Sequence, residues 1–286
     1  MRNDFCAFIL THGRPDRLYT LDTLKRCGYT GKVYIVIDNE DKTADEYKRR
    51  YGDMVLQFDK AAIAKMFDEG DNFNDRRAII YARNACFDLA KQVKCRYFIQ
   101  LDDDYQAFDY RHDADLRYVT HPIKSLEIVL NSILDFYIQS PFFSLALSQG
   151  GDHIGGAQGG YSKKIFCLRK AMNTFICDTE RPFQFIGRIN EDVNTYTESQ
   201  RRGFIFCTLI GVSITQKQTQ SNAGGMTDLY LDSGTYVKSF YSVMYAPSCV
   251  KVKMMQSKHG RLHHSVNWNA AAPCIVREEY RKVAES

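Results

Sequence analysis

Four apolar runs early in the chain each stop at a polar residue, and this repeated pattern restricts the fold more than any other feature. Residues 5–10 run into Thr11-His12-Gly13-Arg14-Pro15, residues 32–37 end at Asp38, residues 54–58 end at Asp59 and residues 97–101 end at Asp102. Continuous apolar runs of this length suit strands buried on both faces, as in parallel sheets covered by helices. After the first run Leu18, Leu21 and Leu24 recur at helical spacing, with Asp16 as a candidate cap. Gly28 stands where a left-handed C-terminal residue is needed. The expected fold is α/β, a mostly parallel central sheet flanked by helices. Ligands of such sheets bind beyond the C-terminal strand ends, so Thr11, His12, Asp38, Asp59 and Asp102 can line one crevice.

The chain has 286 residues, 44% hydrophobic and 25% charged, which suits one large folded unit and excludes a disordered one. Residues 1–198 hold 27 Lys+Arg against 29 Asp+Glu, and residues 199–286 hold 11 against 5. The last third is therefore the basic part and suits a polyanionic partner. Nine cysteines without a C-x-x-C pair, and no secretory leader, predict reduced thiols in a cytoplasmic setting. The run at residues 204–214 is broken by Thr208, Gly211 and Ser213, so no membrane span is expected.

Chemistry is most legible where residues 97–101 meet Asp102-Asp103-Asp104. Side chains alternate along an extended chain, so Asp102 and Asp104 are expected on one side and Asp103 on the other. Two convergent carboxylates suit Mg²⁺ or Mn²⁺ carrying a diphosphate, with water and phosphate oxygens completing the shell. An Asp-rich structural turn would look the same locally. Upstream, residues 75–90 read as a helix in which Arg76 and Arg83 lie two turns apart, able to grip a diphosphate, with Asn84 placed to orient a ribose or a carboxylate. The glycine-dense stretch around Asp152 and His153 matches no phosphate-binding motif and can serve as a flexible connection. Glu191-Asp192 forms a second acidic pair, able either to hold a general base or to stabilise a helix N-terminus. His263 and His264, with His259 nearby, can close a divalent-ion shell.

The order of these parts resembles a nucleotide-sugar glycosyltransferase of the GT-A fold. More narrowly, Thr11-His12-Gly13-Arg14-Pro15, Ala82-Arg83-Asn84, Gln100 to Tyr105 and Asn190-Glu191-Asp192 resemble the TET-associated glycosyltransferases of bacteriophages. The resemblance implies one domain, residues 1–110 binding the nucleotide sugar and residues 111–286 facing the acceptor. It implies a UDP-sugar donor, a divalent metal, and a 5-hydroxymethylated pyrimidine in DNA as acceptor, with 5-hydroxymethylcytosine favoured and a TET-like dioxygenase as functional associate. Donor contacts would come from Thr11, His12, Arg14, Asp38, Arg83, Asn84, Asp102 and Asp103. The metal would rest on Asp104 and Asp102, with His263 or His264. Asp192 would be the base, assisted or replaced by Glu191, and the anomeric centre would invert. Such an acceptor needs phosphate contacts, for which Arg201, Arg202, Lys217, Lys251, Lys253, Lys258 and Arg261 are candidates. It also needs stacking partners for an extruded base, here Tyr230, Tyr236, Tyr241 or Trp268. Residues 216–227 read as a lid. A protein or glycan acceptor, a nucleotidyltransferase and a binding module without catalysis are the competing readings.

Overall fold

The computed structural model describes residues 1–70, 76–159, 171, 173–216, 237–255 and 261–271. The chain begins β1 (Phe5–Leu10), α1 (Tyr19–Arg26), β2 (Lys32–Asp38), α2 (Ala44–Tyr51), β3 (Val55–Phe58) and α3 (Lys60–Ala64). It continues α4 (Ile80–Gln92), β4 (Tyr97–Asp102), β5 (Tyr105–His112), β6 (Tyr118–Pro122), α5 (Leu126–Gln139) and β7 (Ser144–Gln149). Then come β8 (Phe175–Asp178), α6 (Glu191–Gln200), β9 (Phe206–Gln216) and helical residues 237–245, here α7. The last elements are β10 (Val250–Met255), β11 (Arg261–Val266) and α8 (Trp268–Ala271).

Nine strands form one sheet in the order β3-β2-β1-β4-β8-β7-β9-β5-β6. Neighbours from β3 to β4 are parallel, and only β8 and β5 run against the rest. The expected α/β class with a mostly parallel sheet therefore holds, and strands from both halves of the chain share the sheet. β10 and β11 form a separate antiparallel ribbon.

Alternation along the central strands explains the two cores. Phe5, Ala7 and Ile9 of β1 join Tyr97, Ile99 and Leu101 of β4 on the face covered by α1 and α5. Cys6, Phe8 and Leu10 join Phe98 on the opposite face, against Ile80, Ala85, Cys86 and Leu89 of α4. Each fully buried Leu, Ile or Phe stabilises by roughly 1.5–3 kcal/mol, so both faces are firmly specified. Gln100 and Asp102 follow Phe98 on the α4 face, which brings polar groups under Arg83. The seven cysteines among the described residues are buried and free. None of the described helices is long and apolar enough to cross a membrane.

Several boundaries differ from the sequence reading. α1 starts at Tyr19, with Leu18 rather than Asp16 at the cap position and no side-chain cap. The acidic turn substitutes for the cap, because the Thr20 amide donates to the Asp103 carbonyl at 3.1 Å and its hydroxyl to the Asp102 carbonyl at 2.5 Å. α4 starts at Ile80, so Arg76 precedes it and pairs with Glu40 at 2.6 Å instead of sharing a helical face with Arg83. Asp59 caps α3 by accepting from the Ala62 amide, a structural task the sequence reading did not give it. Around Asp152 the glycine-rich stretch takes defined structure: residues 150–153 form a 3₁₀ turn closed by the Asp152 carboxylate on the Gln149 amide, and residues 156–158 form another.

Gly28 behaves as expected. Its φ is +74°, its amide donates to the Lys25 carbonyl, and the Tyr29 amide reaches back to the Leu24 carbonyl, closing α1 in a Schellman motif. A Cβ at Gly28 would also meet the Lys124 carbonyl oxygen at 2.5 Å. Gly28→Ala should therefore cost more than the roughly 1 kcal/mol of an ordinary left-handed glycine replacement. Urea unfolding with unchanged Cm would show that this close approach is not maintained.

Candidate active site

The acidic turn between β4 and β5 is held from three directions. Asp103 is buried and accepts from Thr11 Oγ1 at 2.7 Å and from Arg14 Nη2 at 3.1 Å. Thr11 has one proton, already given to Asp103, so the Tyr47 hydroxyl donates to Thr11 at 2.8 Å and itself accepts from the Arg14 amide at 2.9 Å. Such a chain of aligned donors fixes the β1 loop on the acidic turn. Asp102 directs Oδ1 to Arg83 Nη2 at 3.1 Å. Asp104 is bonded by Gln216, and its buried Oδ1 has no hydrogen-bond partner. The expected alternation stops at Asp102 because the strand ends there, and the three carboxylates take different partners.

Asp38, at the end of β2, is buried between His12 and Lys60. Its Oδ2 lies 2.8 Å from His12 Nδ1 and 3.2 Å from Lys60 Nζ. Burial opposes its ionisation, but these two partners outweigh that and hold the carboxyl below its ordinary value. His12 keeps 47% of its side chain exposed and so offers a ring edge to the crevice. Asp41 shapes the same loop by accepting from the Gly13 amide and from the amide and hydroxyl of Thr43.

Behind the acidic turn, Arg83 is 1% exposed and binds two carboxylates, Asp102 at 3.1 Å and Glu191 Oε1 at 3.2 Å. Burial would weaken this cation, yet Asp102 and Glu191 keep its pKa above the ordinary value. Burial pushes Asp102 up to about 7 and, with the adjacent Asp192, Glu191 up to about 7. One guanidinium cannot offset two buried carboxylates, so the arginine stays charged while the pair retains a proton near neutrality. Glu191 opens α6, which places Asp192 one residue further into its first turn, half-buried and with Oδ1 on the Val193 amide. The expected acid pair is thus divided. Glu191 is tied inward to Arg83, while Asp192 stays half-buried beside it without a salt bridge to that arginine.

The other candidates fall in different places. Asn84 gives its amide to the Phe185 carbonyl and accepts from the Phe185 amide, a backbone clamp. His263 and His264 lie in the ribbon, outside the nine-stranded sheet, and among the described residues no three His, Cys, Asp or Glu side chains form a ready metal cluster. Arg201 and Arg202 both pair with Glu198, which offsets one of their two charges. Tyr241 is buried with its hydroxyl on the Glu69 carbonyl, and Trp268 packs on Tyr196 with ring centroids 5.2 Å apart, so neither is poised to stack on a base. Lys217, Lys258, Tyr230, Tyr236 and nearly all of the expected lid lie outside the described residues.

Sequence reasoning missed Tyr47 and Lys60, and it named Asn190 within a motif and Gln216 at the edge of the lid without giving either a task of its own. Asn190 takes φ +55°, a left-handed conformation that asparagine tolerates better than most residues, and it starts α6. Its place just before Glu191-Asp192 was the available signal. Lys60 beside Asp59 carried none, because a buried lysine looks like any other in a sequence.

The profile of the TET-Associated Glycosyltransferase family matches residues 5–225. Comparison with curated protein sequences gives no match. Among solved structures, Staphylococcus aureus TarS is 12% identical with a TM-score of 0.45; the match covers 74% of this chain, which spans 36% of TarS. Glucosyl-3-phosphoglycerate synthase from Mycobacterium tuberculosis, in complex with Mg²⁺ and UDP, is 7% identical with a TM-score of 0.46, covering 92% of this chain and 88% of that one. These likenesses are too distant to add weight to the profile match, which runs from β1 through the acidic turn and the α6 carboxylates to the end of β9. The chain belongs to the TET-associated glycosyltransferase family and is a glycosyltransferase.

Proposed function

We propose that the protein transfers a sugar from a nucleotide sugar, with UDP-sugars the first donors to test, to the hydroxyl of a 5-hydroxymethylated pyrimidine in DNA. The observation carrying this reading is the assembly at the C-terminal ends of β1, β2 and β4, where the acidic turn is bonded to the Thr11–Arg14 loop and, through Arg83, to the start of α6. Donor and acceptor sides are thus joined by one buried cation.

The donor set suits a hard divalent cation. The unpartnered Asp104 Oδ1 and the Asp102 oxygen that Arg83 leaves free would be its oxygen ligands, the class of donor that such an ion takes together with diphosphate and water. When bound, such an ion offsets charge on the departing diphosphate. The exposed edge of His12 would meet the nucleotide, while Asp103 holds Arg14 and Thr11 in place. Asp192 would take the proton of the acceptor hydroxyl as that oxygen attacks the anomeric carbon from the face opposite the leaving diphosphate, inverting the centre. Glu191, bound to Arg83, fixes the start of the helix that carries Asp192. Mass spectrometry of hydroxymethylated and unmodified duplexes, incubated with a panel of nucleotide sugars and Mn²⁺, tests the proposal. Addition of one hexose mass to the modified duplex alone is expected, and sugar on neither duplex ends the DNA reading.

Asp192→Asn should lower kcat by about 10²–10⁴-fold, the usual contribution of a general base, with donor affinity unchanged. Equal loss of both would assign Asp192 to structure instead. Asp104 gives a pH prediction. Burial and Asp103 push its carboxyl up to about 6, against about 3.9 in an unfolded chain. The folded chain then holds this proton more tightly, so stability falls as pH rises from about 4 to about 6. Asp104→Asn should melt higher than the native protein at pH 7.5 and lose that advantage at pH 4.5. Mn²⁺ should raise Tm of the native protein at pH 7.5 and leave the variant unmoved; an equal rise in both removes Asp104 from the ion site.

A further inference from the structure

We infer that the β10–β11 ribbon is a duplex-DNA docking element that presents a lysine face to the phosphate backbone, an inference that rests on the DNA acceptor proposed above. No acidic residue occurs between Asp232 and Glu278, while that stretch contains Lys238, Lys251, Lys253, Lys258, Arg261 and Arg277. Ribbon register concentrates part of this charge. Lys251 pairs across with Ser265 and Lys253 with His263, so alternation places all four positions on one face. Both lysines are exposed. Val250, Val252 and Val266 occupy the other face, where Val250 and Val266 pack with Ala246, Cys249, Ala271 and Trp268. The ribbon is therefore anchored by its apolar face and turns its basic face outward.

That anchor leads to the candidate base. Ser239 of α7 donates to the Leu262 carbonyl of β11 at 2.9 Å. Asn190, immediately before Glu191 and Asp192, donates to the Lys238 carbonyl at 2.7 Å and to Ser242 Oγ at 3.2 Å. Trp268, just after β11, packs on Tyr196 of α6. The ribbon and the helix that carries Asp192 are thus linked by two routes, through α7 and through Trp268 of α8, so a duplex held on the ribbon would keep a fixed relation to the acceptor side.

A two-stranded antiparallel ribbon fits the major groove of B-form DNA, whereas the deep, narrow major groove of A-form RNA does not admit one. A lipid-binding surface would set apolar side chains beside the lysines. Here the exposed Met254 belongs to the opposite face by register, and the positions across from the lysines are Ser265 and His263.

The test measures binding of the full chain to a short duplex, with and without hydroxymethylated bases, across a salt series, for the native protein and for Lys251→Ala/Lys253→Ala. Loss of two phosphate contacts should reduce the slope of log K against log salt by about 1.8, so that the affinity change between 50 and 200 mM salt becomes about tenfold smaller. Tm and UDP affinity should be unchanged in the variant. An unaltered slope overturns the ribbon assignment, and so does native protein that binds anionic vesicles but no duplex. Lysine-dependent duplex binding without sugar transfer supports the ribbon and overturns the acceptor reading. Sugar transfer with lysine-independent binding does the reverse.

Discussion

The fully buried guanidinium of Arg83 is the interaction on which the rest of the site depends. A helix on one face of the sheet supplies it, and it binds the last residue of the central strand and the first residue of α6 at once, at 3.1 and 3.2 Å. Removing it leaves two buried carboxyl groups without their cation, at a cost of roughly 3–5 kcal/mol for a broken buried pair. The rings of Phe175 and Phe185 lie 5.2 and 5.9 Å from the guanidinium carbon, so apolar walls exclude the water that would otherwise solvate it. Asn84, the next residue, holds the Phe185 backbone in place. Adjacent residues of α4 therefore perform two linked tasks, one electrostatic and one geometric.

Neighbouring partners likewise give the other carboxylates at these strand ends different characters. Asp103 is satisfied by a hydroxyl and a guanidinium, and Asp38 by an imidazole and a buried ammonium. Asp104 retains an oxygen without a donor. Desolvation raises carboxyl pKa values, and only specific partners lower them again. Asp38 ends below its ordinary value and Asp104 well above it, so the two carboxyls differ in charge near pH 5.

The strands were legible in the sequence, because apolar runs of five or six residues that end in polar ones have few other uses. Gly28 was legible for a similar reason, since few other residues take a left-handed helix end cheaply. What could not be read was partnership across the chain. Arg83 and Glu191 are 108 positions apart, and nothing in either segment names the other. The start of α1 was misplaced for the same reason: Asp16 has the chemistry of a cap, but the acidic turn some 85 residues later satisfies those amides. Arg76 and Arg83 had suitable spacing, yet the helix begins between them.

Asn190 shows how local chemistry and distant contacts meet. A non-glycine residue at φ +55° carries a conformational cost, which its amide offsets through bonds to the Lys238 carbonyl and Ser242. A glycine would adopt the same backbone without strain but would lose both bonds to α7. An aspartate would tolerate the backbone, yet its acceptor-only carboxylate would oppose the Lys238 carbonyl. Only a side chain that accepts the left-handed turn and also donates can start α6 at this angle while fastening it to the helix that supports the basic ribbon. The direction of Asp192 is thus set on one side by Arg83 through Glu191 and on the other by α7 through Asn190, which leaves the first turn of α6 little freedom of its own.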